Sequence, residues 1–169
     1  MNYSIYDQLK SFILPVTVLL VVPVTFLWAT AGFRLGWGMG LPWDAVFVIA
    51  GAVLMGCGLY LMSYTIHLFI NIGKGTLAPW SPTKHLVVLG PYKYVRNPMI
   101  SGVLMTLLGE AAVAGSMLIF GWFICFYLIN YIYFISSEEP GLEQRFGEEY
   151  LLYKKNVPRW IPRLKPWLG

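Results

Sequence analysis

The charged residues of this chain are so unevenly placed that two long stretches contain none. Residues 11–33 lack Lys, Arg, Asp and Glu, and so do residues 45–73. A third apolar stretch, residues 97–137, is interrupted only by Glu110. A helix needs about 20 apolar residues to cross the hydrocarbon core of a bilayer. Each of the first two stretches is therefore long enough for one crossing, and the third is long enough for about two.

The composition supports a membrane protein and argues against other classes. The 169 residues are 57% hydrophobic and 12% charged, whereas soluble domains carry about 25% charged residues. So large an apolar fraction excludes intrinsic disorder. The net charge of +4 indicates membrane lipids as a partner and not nucleic acid. Cys57 and Cys125 both lie in apolar runs, so neither a disulfide framework nor a metal site is predicted.

The third apolar stretch is predicted to form two helices joined by a tight turn. Gly109, Gly115 and Ser116 lie near its middle, and Pro98 suits the first turn of a helix, where its missing N–H costs nothing. We therefore predict an all-α, polytopic membrane protein in which the last two of four transmembrane helices form a hairpin. The approximate spans are residues 11–33, 45–72, 98–113 and 117–136, followed by a tail, residues 137–169, within one domain of residues 1–169.

Lys and Arg predict the orientation of these spans. The loop between spans one and two has Arg34 alone, whereas the tail has six basic residues. The loop between spans two and three has four, which are Lys74, Lys84, Lys93 and Arg96. Because cytoplasmic loops are enriched in Lys and Arg, this loop, the tail and both termini are predicted to be cytoplasmic. In a prokaryote the membrane would be the inner membrane.

The tail is predicted to contain a helix over residues 141–156 that lies along the membrane surface. Its apolar residues recur at helical spacing, and charged residues occupy its other faces. The apolar residues are Leu142, Phe146, Tyr150 and Tyr153. Pro158 and Pro162 then end the helix.

The first cluster of residues suited to chemistry lies within residues 84–102. Gly90 and Pro91 form a turn, after which Arg96 and Asn97 stand beside the N-terminus of span three. The free N–H groups and the dipole of a helix N-terminus favour an anionic group. The alternative is an ordinary basic turn beside the membrane, with Asn97 as the helix N-cap.

The second cluster is the pair Glu138 and Glu139 at the cytoplasmic end of span four. Two carboxylates there oppose the negative end of the helix dipole and an anionic leaflet. A positive group should compensate them, and Arg96, Lys93 or a bound cation would serve. The alternative is a pair of solvated tail charges.

These clusters and the tail together resemble the integral membrane methyltransferases of the isoprenylcysteine carboxyl methyltransferase and phospholipid N-methyltransferase type. The resemblance covers about half of the chain, residues 75–162, in the order expected around the hairpin. The matching motifs are Gly90-Pro-Tyr92, Arg96-Asn-Pro98, Glu138-Glu139, Phe146-Gly-Glu-Glu-Tyr150, Tyr153-Lys-Lys155 and Val157-Pro-Arg159.

The resemblance implies an enzyme that transfers a methyl group from S-adenosylmethionine, without a metal, to a lipophilic acceptor at the cytoplasmic face. The acceptor would be a phospholipid amine or a prenylcysteine-type carboxylate. The catalytic residues implied are Arg96, Asn97 and Glu139. The cofactor-binding residues implied are Lys84, His85, Leu86, Val87, Tyr92, Asn97, Pro98, Met99, Ile100 and Glu138.

The sequence departs from the family pattern at three places. Asn97 stands where the family often has His, and Ile100 stands where it often has Tyr. Prenylcysteine enzymes carry an Arg about four residues before the acidic pair, where this chain has Phe134 and Ile135. This last difference favours an amine over a carboxylate as the acceptor group, because a buried carboxylate needs a cationic partner.

Two other functions remain open at this point. A membrane reductase of the sterol-reductase type would use NADPH and share the last helices, but it would carry an Arg-Asp-rich segment and a Lys-Tyr-Gly motif. This chain has Glu138-Glu139 and Phe146-Gly147 instead. A non-catalytic membrane subunit would use the two polar clusters to bind a partner protein. The role of Glu110 is not decided by the sequence.

Overall fold

The structure is a computed structural model that describes residues 12–30, 35–73 and 85–169. Three residues used in the predictions lie outside the described residues. They are Lys84, which belongs to the predicted cofactor site, and Arg34 and Lys74, which were counted for the orientation. The described residues form helices and contain no strand. The all-α class predicted from the sequence is therefore confirmed for them.

Five helices follow one another along the described chain. Helix α1 spans Ile13–Ala29 and includes a π-helical turn at Thr17–Val21, and helix α2 spans Trp43–Asn71. A 3₁₀ turn at Gly90–Lys93 precedes helix α3, which spans Pro98–Ala114. Helix α4 spans Met117–Tyr133, and a π-helical turn at Phe134–Glu138 joins it to helix α5, which spans Glu139–Asn156. Helix α5 is kinked at Gly147, whose backbone is not helical and has φ of 52°.

Two of these helical segments are long and apolar enough to cross a membrane. They are Trp43–Asn71 and the continuous segment Met117–Asn156, while Ile13–Ala29 and Pro98–Ala114 are apolar but shorter. The crossing of a bilayer by all four spans, the orientation and the transmembrane hairpin stay predictions. The helix predicted for residues 141–156 begins earlier, at Glu139, and continues directly from α4, so it is not a separate element.

The turn between α3 and α4 is shorter than predicted. Gly115 adopts the left-handed conformation that ends α3, with φ of 55°, and Ser116 accepts a hydrogen bond from the Ile119 N–H at 3.4 Å to begin α4. Gly109 is not part of this turn. It lies inside α3, against α2.

Helices α2 and α3 pack with their backbones in close contact through four glycines. A Cβ on Gly58 would stand 2.6 Å from the Gly102 carbonyl oxygen, and a Cβ on Gly109 would stand 2.5 Å from that of Gly51. Gly58 lies against Gly102, and Gly51, seven residues earlier, lies against Gly109, seven residues later. The two helices therefore run antiparallel. Small residues allow such contact between apolar helices, where van der Waals packing replaces the hydrophobic effect.

Helices α1 and α4 cover the opposite face of α3. Leu19 of α1 packs against Val103 and Leu107, and Leu107 is completely buried. The Trp122 indole N–H donates to the Val18 carbonyl at 3.1 Å, which ties α4 to α1. Helix α3 is therefore enclosed between α2 on one face and α1 and α4 on the other.

We predict that Gly58→Ala destabilises the fold by about 1–3 kcal/mol, because the new methyl group meets backbone atoms of α3 that have no room to move. Gly56→Ala is the matched control, since nothing lies within 4 Å of a Cβ there. The control should gain up to about 1 kcal/mol from helix propensity. Unfolding of the purified protein in detergent, followed by circular dichroism, measures both. Equal stability of the two variants would contradict the close packing.

Candidate active site

The segment before α3 is bound to the C-terminal tail by backbone hydrogen bonds. The Arg96 N–H donates to the Pro158 carbonyl at 2.9 Å, and the Arg163 N–H donates to the Tyr94 carbonyl at 3.0 Å. Farther along the tail, the N–H of Trp167 donates to the carbonyl of Lys93 at 2.9 Å. The tail therefore lies alongside residues 93–96, at the end of the molecule where α3 begins.

Glu139 is the centre of an ion cluster at this end. Its side chain is 6% exposed, and its Oε1 accepts from Arg96 Nη1 at 2.9 Å and from Arg159 Nε at 2.6 Å. Its Oε2 accepts from Arg159 Nη2 at 3.0 Å and lies 3.2 Å from Lys154 Nζ. Burial alone would raise the pKa of Glu139, but the hydrogen bonds from Arg159 and Lys154 and the charge of Arg96 lower it. Glu139 is therefore a charged, fully engaged carboxylate.

The Arg96–Glu139 pair confirms that a cation compensates the acidic pair. The sequence proposed Arg96 or Lys93 for this purpose, and the structure selects Arg96. Arg159 and Lys154 had no predicted role in this compensation. Their signal was present in the motifs Val157-Pro-Arg159 and Tyr153-Lys-Lys155, but spacing along the chain does not show that they converge on one carboxylate.

Arg96 keeps hydrogen-bonding capacity that the cluster does not use. Its side chain is 10% exposed, and its Nη1 donates both to Glu139 and to the Tyr150 hydroxyl, at 3.2 Å. Its Nε is buried and has no partner among the described residues. Because a guanidinium carries five N–H groups in a planar fork, Arg96 can bind an anion while it holds Glu139.

Glu138 differs from its neighbour in its surroundings. Burial raises the pKa of Glu138 to about 7, Arg145 opposes this rise, and the negative charge of Glu139 adds to it. The buried Tyr92 hydroxyl lies close enough to feel the charge of Glu138, and burial in the first place raises the pKa of Tyr92 above its usual value. The two adjacent carboxylates therefore differ: Glu139 is ionised and engaged, whereas Glu138 titrates near neutral pH.

Two tyrosines fix the 3₁₀ turn to helix α5. The Tyr153 hydroxyl donates to the Tyr92 carbonyl at 2.7 Å, and the Tyr92 ring stacks on Phe69 at 6.3 Å. Both tyrosines are buried, at 6% and 3% exposure. Tyr92 thus closes the site from the side of α2 and has little free surface.

The remaining predicted cofactor residues lie on either side of this turn. His85 is exposed, Leu86 packs against the buried cluster of Tyr150, Tyr153 and Val157, and Val87 packs against Leu68 and Tyr92. Pro98 is buried at the start of α3, where Met99 and Ile100 are half-buried. Lys84, the remaining residue of this predicted set, lies outside the described residues.

Asn97 occupies the N-cap position of α3, as one of the alternatives predicted, but its side chain makes no capping hydrogen bond. Instead its backbone carbonyl accepts from the Ser101 N–H at 3.0 Å and from the Ser101 hydroxyl at 2.9 Å. The side-chain amide is therefore available to a ligand. Within the described part of the chain, no group of three or more His, Cys, Asp or Glu could hold a metal ion.

An apolar groove lies beside the site and is largely separate from it. It has a volume of about 640 Å³, and of the predicted cofactor-binding residues that the structure describes, Pro98 alone lines it. Its walls come from α2, from residues 89–98 and from the tail. Glu138 does not line it.

We predict that Arg159→Gln costs about 1–3 kcal/mol of stability, because it removes two of the hydrogen bonds that satisfy a buried carboxylate. Arg163→Gln is the matched control, since Arg163 Nη1 donates only to the Asn156 carbonyl at 2.8 Å. The control should cost less than about 1 kcal/mol. Because the pKa of Glu139 is lowered, the cluster stabilises the protein above the ordinary Glu pKa of 4.5 and loses this contribution as pH falls further. Denaturant unfolding at pH 7 measures both variants, and equal losses would contradict the central role of Glu139.

Comparisons with known proteins identify the family of this chain. A protein of Haemophilus influenzae, described as an uncharacterized protein, is 36% identical over 63 residues, which are 37% of this chain and 100% of that protein. No solved structure matches the chain. The family model described as phospholipid methyltransferase matches residues 46–149, which include both polar clusters and helices α3 and α4. This match covers more than half of the chain, and the protein therefore belongs to the phospholipid methyltransferase family.

Proposed function

We propose that this protein transfers a methyl group from S-adenosylmethionine to a lipid-like amphiphile at the cytoplasmic face of a membrane. The observation that carries the proposal is the Arg96–Glu139 ion pair, because it joins a basic turn and an acidic pair that are 43 residues apart in sequence. Around that pair remain a buried Arg96 Nε without a partner in the described structure and a Glu138 carboxyl of raised pKa. Family membership supports methyl transfer.

The residues present fit the polar groups of this cofactor. Its carboxylate would be held by Arg96 and by the N-terminus of α3, whose first N–H groups have no helical partner. Glu138 would accept hydrogen bonds from its ammonium or ribose hydroxyls, and charge-assisted bonds of this kind are strong. When bound, the cofactor supplies an activated methyl group on a sulfonium. The chain itself has to align the two reactants and exclude water, which is enough for an in-line transfer.

The tail provides the wall that excludes water. Trp160 packs against the rings of Tyr127 and Phe134, at centroid distances of 5.2 and 5.4 Å. The Glu139 cluster fixes the tail in this position through Arg159. We therefore assign Glu139 a positioning role: it holds Arg96 toward the cofactor carboxylate and the tail over the site, and it does not act as a base.

An amine headgroup is the acceptor that these charges favour. Arg159 and Lys154 engage Glu139, and the remaining hydrogen-bonding capacity of Arg96 is assigned here to the cofactor carboxylate, so a carboxylate acceptor would have to compete for these three cations. At Phe134, where prenylcysteine enzymes carry Arg, the side chain is 3% exposed and packs against other aromatic rings. An amine needs no such cation. A non-catalytic subunit and an NADPH-dependent reductase are disfavoured by the family.

Cofactor affinity should depend on pH through Glu138. We expect the affinity for S-adenosylhomocysteine to rise about tenfold between pH 6 and pH 8, because Glu138, with a pKa of about 7, ionises over this range. Glu138→Gln should weaken binding by about 2–4 kcal/mol and remove the pH dependence. Isothermal titration calorimetry in detergent measures both quantities.

The matched control for this titration is Glu149→Gln, an exposed carboxylate on the same helix. It should bind the ligand as the wild type does at each pH. NADPH should give no binding heat with the wild type. Wild-type affinity in Glu138→Gln, or saturable binding of NADPH, would contradict the proposal.

The acceptor class is tested by offering radiolabelled S-adenosylmethionine to the purified protein with two acceptors separately. We expect labelled phosphatidylethanolamine, because its amine needs no additional cation in the site. A farnesylcysteine analogue should be methylated much more slowly. Rapid formation of the methyl ester with no labelling of the lipid would overturn the preference for an amine, while it would leave methyl transfer itself in place.

A further inference from the structure

The apolar groove beside the site has the lining of an amphiphile-binding site. Most of its lining side chains are aliphatic or proline, and the polar ones are Tyr64, Tyr94 and Lys93. Leu168, at its edge in the tail, is 82% exposed, and Leu89 is 42% exposed. An open groove with this much apolar surface and one ammonium group matches a ligand with an apolar chain and an anionic head.

The segments of the chain that line the groove carry basic residues and no acidic ones. No Asp or Glu occurs between residues 45 and 109 or after Glu149, and every residue that lines the groove falls in one of these two segments. Arg96 and Arg159 are engaged by Glu139, but Lys93 and Lys165 form no ion pair within the described residues. Lys165 immediately precedes Pro166, which lines the groove. An anionic group is thus the natural counterpart of these two lysines.

The groove also lies at the depth of a membrane–water interface. Helix α2 begins at Trp43, and about 20 helical residues cover the hydrocarbon core, so the crossing ends near residue 63. Leu61 and Tyr64 of α2 line the groove at this level. Exposed aromatic side chains mark both ends of the crossing, with Trp43 at one and the stacked pair Tyr60 and Tyr64 at the other.

We propose that this groove binds an anionic phospholipid of the bilayer in which α2 is embedded. One acyl chain lies between Leu61 of α2 and Leu168 of the tail, and the phosphate lies between Lys93 and Lys165. This lipid is distinct from the methyl acceptor, because the groove and the Glu139 cluster are on different sides of the residues 93–98 segment. Val95 and Pro98 line the groove, whereas the Arg96 side chain between them reaches Glu139.

The test uses the full chain in a zwitterionic detergent without cofactor, so that its outcome is independent of methyl transfer. Native mass spectrometry measures the binding of dioleoylphosphatidylglycerol and, separately, of dioleoylphosphatidylcholine. We expect the anionic lipid to bind more tightly. Lys93→Gln and Lys165→Gln should each weaken its binding about fivefold, the effect of one lysine beside an anionic headgroup. Both should leave the zwitterionic lipid unaffected.

A second variant tests the apolar wall. Leu168→Asp should weaken both lipids, and because Leu168 is 82% exposed the fold should persist, as the thermal unfolding curve will show. The matched control is Lys155→Gln, an exposed lysine of α5 outside the groove. An equal loss in Lys155→Gln would reveal only a general attraction to basic surface and overturn the proposal. Equal affinity for the two lipids, or a dimer that buries the groove and excludes both, would overturn it as well.

Discussion

The buried carboxylate of Glu139 is the constraint on which the arrangement of the site depends. A charged side chain that is 94% removed from solvent is tolerated only when partners of opposite charge surround it. Here the partners come from three segments, which are Arg96 before α3, Lys154 in α5 and Arg159 after α5. Satisfying one carboxylate thus requires all three segments to meet. The backbone hydrogen bonds between residues 93–96 and the tail lie beside this ion cluster.

The glycine contact between α2 and α3 determines where that meeting takes place. Because Gly58 lies against Gly102, the first turns of α3 emerge directly beside the last turns of α2. The 3₁₀ turn is then packed against Leu68 and Phe69 of α2 through Tyr92, and Tyr153 hydrogen-bonds to the carbonyl of Tyr92. The apolar scaffold therefore brings the polar turn within reach of α5, and the ion cluster joins them.

Much of the helical framework could be predicted from hydropathy, because the boundaries of α2, α3 and α4 follow the charge-free stretches to within a few residues. Electrostatics alone also predicted that a positive group compensates the acidic pair, but it left Arg96, Lys93 and a bound cation as alternatives, and the structure places Arg96 there. The continuity of α4 and α5 was not predicted, since Pro140 and Gly141 normally end a helix. In the structure a π-helical turn at Phe134–Glu138 directly precedes Pro140 and links the two helices, and π-helical turns commonly occur where a helix is locally irregular. The convergence of Lys154 on Glu139 depends on the non-helical backbone of Gly147, with φ of 52°, because a straight helix would hold residues 139 and 154 about 22 Å apart. Arg159 then reaches Glu139 from the segment that follows α5.

The segment of residues 93–98 connects the membrane to the site because its neighbouring side chains face different surroundings. Val95 and Pro98 line the groove, and Arg96 between them holds Glu139. A lipid bound in the groove would therefore contact the same backbone segment that positions Arg96 and leads into α3. Coupling between two sites requires a ligand to bind one arrangement of the shared element better than another, and this segment is the shared element. If the proposed lipid and the proposed cofactor both bind, the six residues 93–98 are the element through which one would act on the other.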